Sequence, residues 1–220
     1  MMHSRLLAFS LLLSAPAAFA DREVSHPISA SAPAASVRRV VVDIPAGEIV
    51  VRNGDALTIA INGVARREYE RNREENQRIV NDISAEIYLS NDEAIIRRKF
   101  GPKAQGWKAS KLTVFDVTVT VPRGMSIEME TKVGEVTIDG TFGDVDVDLR
   151  AGEIEVRMPR KSVRELSASC RIGEVHTDFG EQIVDREGIF PGRTQYFNSK
   201  GTSRVKVHTT VGEVNVTLTP

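Results

Sequence analysis

One short pattern recurs along this chain and constrains its fold more than any other feature. Val133-Gly134-Glu135-Val136-Thr137-Ile138 is echoed by Phe142-Gly143-Asp144-Val145-Asp146-Val147 and then by Ala151-Gly152-Glu153-Ile154-Glu155-Val156. It returns as Ile172-Gly173-Glu174-Val175-His176-Thr177 and as Val211-Gly212-Glu213-Val214-Asn215-Val216, with an outlying copy at Ala46-Gly47-Glu48-Ile49-Val50-Val51. The rule is a small or apolar residue, Gly, an acid, then mostly β-branched residues two and four places after the Gly. Internal repetition of this kind is the signature of repeat architectures.

Strand side chains alternate, so the residues two and four after each Gly share one face and predict the core side, with the acid pointing out. Strict alternation would leave the apolar residue before each Gly outside. A change of direction at Gly, whose missing Cβ permits a corner or bulge, is therefore expected to carry the chain round. The fold class that follows is all-β: a β-solenoid, β-helix-like, of short Gly-cornered rungs. Each rung buries its inward face against the next. Gly134, Gly143 and Gly152 stand nine residues apart, so nine-residue antiparallel hairpins in a meander are the alternative. Stacked rungs would align Glu135, Asp144 and Glu153 in one outward column and Thr137, Asp146 and Glu155 in a second. Like charges on neighbouring strands repel. A calcium ion would relieve that, but no Asp/Asn/Gly-rich loop is present, and a solvated edge that discourages aggregation is the simpler reading.

The flanking segments read differently. Residues 1–20 carry Arg5, an apolar run from Leu6 to Leu13 and a small-residue Ala18-Phe19-Ala20 ending. These are the parts of an export signal cleaved before Asp21, and the run is too short to span a bilayer, which needs roughly 20 apolar residues. Residues 21–36, rich in Pro, Ser and Ala, read as a flexible lead-in. Residues 37–220 form the expected β domain, with a charged helical insertion at about 66–82, where Gly and Pro are absent and Glu74 and Arg78 stand at i,i+4. A chain so exported is expected in the periplasm or at the cell surface, with no transmembrane segment in its mature part.

Removing the signal leaves 28 Lys+Arg against 30 Asp+Glu, a net charge of −2, whereas a general nucleic-acid binder shows a basic excess. Cys170 is the single cysteine, so no internal disulfide forms, and on a strand it reads as a small buried hydrophobe. His176 and His208 fall on outward positions, no His–Cys or His–acid spacing suggests zinc, and no Gly-x-Ser-x-Gly elbow or phosphate loop occurs. No cofactor is called for. Two segments are candidate contact surfaces. Residues 97–111 hold cations without an acid, among them Arg97, Arg98, Lys103 and Lys108 around Trp107. Residues 181–201 offer aromatics, among them Phe190 and Tyr196, which either cap the repeat or meet a partner.

Together with the entry strand Val117 to Gly124 and the final Val-Gly-Glu-Val-Asn-Val-Thr-Leu (211–218), the Gly-acid-Val/Ile repeat resembles the bacterial putative-adhesin family over roughly Val37 to Pro220. That resemblance implies an exported or membrane-tethered domain with a toast-rack-like β-helix, and it brings no catalytic residues. The expected function is a non-enzymatic binding or scaffolding module of the cell envelope whose partner is an envelope protein or glycan. The alternatives are an extracytoplasmic carbohydrate-active enzyme on a β-helix, or a calcium-dependent surface structure.

Overall fold

Short apolar–polar alternations separated by turns fold, in the computed structural model, into twelve strands and one short α-helix among the described residues, which are 22–69, 71–105, 113–179 and 192–220. The strands are β1 (Glu23–Pro33), β2 (Arg39–Asp43), β3 (Ala46–Asn53), β4 (Thr58–Glu68), β5 (Ile83–Ser90), β6 (Glu93–Phe100), β7 (Thr113–Val121), β8 (Ser126–Asp139), β9 (Val145–Pro159), β10 (Val163–Thr177), β11 (Gly192–Phe197) and β12 (Ser203–Thr219). They join one sheet whose main path runs β1-β4-β7-β3-β8-β9-β12-β10-β11 without closing, while β2, β6 and β5 branch from β8. The all-β class is therefore observed.

The repeat strands pair in parallel. β3, β8, β9, β12 and β10 lie side by side in that order, with Gly47, Gly134, Gly152, Gly212 and Gly173 in direct register. An antiparallel meander of these segments is excluded by that pairing. Each of these glycines has φ between 136° and 139°, a conformation essentially restricted to Gly, and it breaks the strand into two legs. In β8 the first leg pairs with β2 and the second with β3. Ile49, Val136, Ile154 and Val214 bury one row of the second legs, and Val51, Ile138, Val156 and Val216 bury the next. Each such side chain contributes roughly 1.5–3 kcal/mol, so the inward faces of the rungs hold the stack.

Four expectations need correction. Gly143 is not a corner: it lies between β8 and β9, where its N–H donates to the Met125 carbonyl at 2.9 Å and Phe142 is buried. The repeat therefore runs from Gly134 to Gly152, each strand carrying one corner and two legs. Consequently the acidic columns change: Glu135 pairs with Glu153 and Thr137 with Glu155, but Asp146 pairs with Glu128 and Lys206, and Lys206 Nζ is 3.2 Å from an Asp146 oxygen.

Residues 23–33 are a strand, β1, rather than a flexible lead-in. It is antiparallel to β4 and buries Val24 and Ile28. Its position at the end of the sheet path suits Pro27 and Pro33, since a prolyl nitrogen is tolerated on an edge strand. Finally, the helix, α1 (Arg73–Val80), is shorter than 66–82 because β4 continues to Glu68. Asn72 caps it, accepting from the Glu75 N–H, and Val80 anchors its C-terminal end in the core.

Candidate functional site

The residues singled out in sequence do not converge. Trp107, Lys108 and Phe190 lie outside the described residues. Arg97 and Arg98 stand on β6, and Lys103 in the helical turn Pro102–Ala104, while Tyr196 is on β11, on a different arm of the sheet. The cations of β6 are met by an acid that the linear sequence separates from them. Arg97 Nε contacts Glu86 Oε1 at 2.6 Å and Lys99 Nζ contacts Glu86 Oε2 at 3.2 Å. Hydrogen bonds from Arg97 and Lys99 hold the Glu86 carboxyl below the ordinary carboxylate range.

The Arg97 guanidinium lies 5.9 Å from the centre of the Tyr88 ring, and that of Arg98 lies 5.2 Å from the Phe100 ring. Burial lowers the Arg98 pKa, with Asp43 opposing it. The Lys103 N–H donates to Asp82 Oδ2 at 2.5 Å. Tyr196 is half-buried against the core, with Phe179 at 5.3 Å between ring centres.

A more ordered surface is built by the corners themselves. Because the five glycines are in register, the residues around them form rows across the sheet. Ala46, Val133, Ala151, Val211 and Ile172 make an apolar row, and Glu48, Glu135, Glu153, Glu213 and Glu174 make an acidic row two residues on. Between them Gly134, Gly152, Gly212 and Gly173 form the floor of an open groove of about 580 Å³, while Gly47 at the end of the row is buried. The apolar residues were expected to turn inward at the corner, yet Val133 is 57% exposed, Ile172 52% and Val211 45%. The reason is local: the Gly kink leaves the positions on both sides of it outside, and burial resumes two residues after Gly. One residue before the apolar row stands a third line, Lys132 on β8, Arg150 on β9 and Arg171 on β10, all exposed.

The acidic row is partly tied down. His176 Nε2 lies 3.0 Å from Glu174 Oε2 and 3.5 Å from Glu213 Oε1, joining two rungs. Asn215 Nδ2 donates to Glu153 Oε1 at 2.7 Å. Among the described residues no group of three or more His, Cys, Asp or Glu side chains is arranged to hold a metal ion. Cys170 is buried, its thiol donating to the Gly212 carbonyl at 3.2 Å, and burial raises its pKa. It therefore faces the underside of the corner row, away from the groove. No described helix is long and apolar enough to cross a membrane.

What these observations define is an all-β protein that presents a glycine-floored groove between an apolar and an acidic ladder. No protein-family model matches the chain, and no curated protein matches it by sequence. Among solved structures it is similar to a putative cell adhesion protein from Clostridium sporogenes ATCC 15579, with a TM-score of 0.50 and 12% identity over 89% of this chain and 100% of that one. At that identity the likeness concerns the fold alone. A putative adhesin from Bacteroides fragilis NCTC 9343 aligns with a TM-score of 0.30 and 10% identity, over 87% of this chain and 97% of that one.

Proposed function

We propose that the chain is a non-enzymatic, exported cell-envelope module that binds or scaffolds, with the glycine-floored groove as its contact surface. The observation that carries this is the exposed row of Val133, Val211 and Ile172. Three large aliphatic side chains in one row across a sheet, Val211 beside Ile172 and Val133 one strand beyond Ala151, left in water beside a line of charge, are what a partner surface requires and what a purely structural corner does not. In this reading residues 1–20 direct export and are removed before Asp21. The parallel, in-register rungs form a β-solenoid-like stack, and the protein acts in the periplasm or at the cell surface on an envelope protein or glycan. The adhesion-related names carried by the two similar structures are in keeping with such a role.

The test is a photo-crosslinking residue placed at position 211, with position 88 on β5 as the control, in intact cells of the producing organism. Capture at 211 and not at 88 supports the groove. Equal capture at both, or none at 211, refutes it. Cell fractionation checks the compartment: full-length protein retained in the cytoplasm with residues 1–20 intact overturns the export reading.

A further inference from the structure

Resting on the binding reading above, we propose that the partner at the groove is a second copy of this chain, docked rung against rung. Four rows cross the sheet in the order in which the chain lays them down. The cations Lys132, Arg150 and Arg171 come first, then the apolar row, the glycines and the glutamates. Consider a two-fold axis running along these rows, between the apolar row and the glycine row. It places the apolar side chains of each copy over the glycine floor of the other. The same operation sets Lys132 opposite Glu135, Arg150 opposite Glu153, and Arg171 opposite Glu174 of the second copy. Every pairing occurs twice, as an isologous contact demands.

Commensurability favours this occupant. Rungs of a sheet are spaced about 4.8 Å apart, so a second copy keeps step over the four that line the groove. A peptide laid across the rungs repeats same-face side chains at about 6.8 Å and slips out of register after one. Charge agrees as well. Among the described residues, Lys132, Arg150, Arg171 and Glu135 enter no ion pair within the chain. The net charge of −2 left once residues 1–20 are removed also imposes little long-range repulsion between copies. Size sets the strength. Four rungs by four rows cover roughly 250 Å² per copy, against about 800 Å² per partner in a standard stable complex. The contact is therefore transient in dilute solution and gains where many copies are held on one surface.

The decisive experiment is a charge swap read by concentration-dependent NMR and sedimentation at low salt. One variant carries Lys132→Glu with Arg150→Glu, the other Glu135→Lys with Glu153→Lys; Lys132, Arg150 and Glu135 are exposed, and Glu153 is half-buried beside Asn215. Wild type should shift the amide signals of Gly134, Gly152 and Gly212 with rising protein concentration. Each variant alone should associate at least tenfold more weakly, and an equimolar mixture of the two should associate at least as well as wild type. Self-association that survives in both single variants, or a mixture no stronger than its components, overturns the proposal. So does wild type that stays monomeric at millimolar concentration. The crosslinker at position 211 separates the two readings: a self-adduct supports both, a different captured protein keeps the binding role and refutes the second copy, and no capture refutes both.

Discussion

Replacing Gly152 by Ala probes the corner row most directly. The residue has φ +136°, and a Cβ added there would sit 1.8 Å from the Gly134 carbonyl oxygen and 2.9 Å from its carbon, both backbone atoms of the neighbouring rung. Two costs add. Holding a non-Gly residue in that region costs about 1–3 kcal/mol, and forcing a methyl into packed backbone costs about 1–3 kcal/mol more. The expected loss is thus about 2–6 kcal/mol, a large part of the roughly 5–15 kcal/mol that keeps a domain folded. Gly124 supplies the control, since it has φ +81° with nothing within 4 Å of an added Cβ, and Gly124→Ala should lose only the strain of a left-handed residue, about 1–2 kcal/mol. With about 2–4 °C per kcal/mol for a chain of this size, thermal unfolding followed by circular dichroism should show Gly152→Ala melting at least about 4 °C below wild type, and clearly below Gly124→Ala. Urea midpoints should rank the same way. If the two variants lie within about 1 kcal/mol of each other, rung-to-rung backbone contact is not what demands Gly at the corner, and the row argument fails.

Other consequences can be checked on the same protein. Phe142→Ala should cost about 3–5 kcal/mol in urea unfolding, because Phe142 is 1% exposed at the β8–β9 connection. Glu86 should titrate below the ordinary carboxylate range, and Arg97→Ala should move its NMR midpoint upward, since the hydrogen bond from Arg97 is the leading cause of the shift. The sign for stability follows: the folded pKa is depressed, so this contribution is present above the unfolded value and fades as pH falls through the folded one. Cys170 should react with a thiol reagent far more slowly at pH 8 in the folded protein than in urea, because burial raises its pKa and shields it.

The repeat made the all-β class and the Gly corners legible, because Gly followed by an acid and β-branched residues is a local signal that stacking does not override. Strand order was not legible. Nothing local in residues 203–219 says that they lie between β9 and β10, since register depends on which neighbour the inward Val and Ile residues meet. Gly143 misled because a buried Phe and a tight connection imitate the corner pattern without the positive φ. The edge strand β1 was hidden by Pro and Ser, which edge positions accept. At the candidate site the ingredients were visible one by one. The apolar residue before each Gly is plain in the sequence, but its exposure follows only from the kink geometry. Glu86 lies far enough from the cations of β6 in sequence that its ion pairs with Arg97 and Lys99 emerge only from the β5–β6 pairing.

The placement of β12 between β9 and β10 has a kinetic meaning. β12 is the last of the repeat strands in chain order, yet β9 and β10 both pair with it in parallel. As the chain emerges, β10 has no partner on that side until residues 203–219 arrive, and β9 leaves one full edge open for the same interval. Long-range parallel pairing of this kind forms slowly, and unpaired edges are aggregation-prone while they wait. A chain arranged in this way completes its sheet only as a late, single closing event. Holding β12 back should therefore leave β8–β9 and β10–β11 as separate pieces rather than a shortened stack.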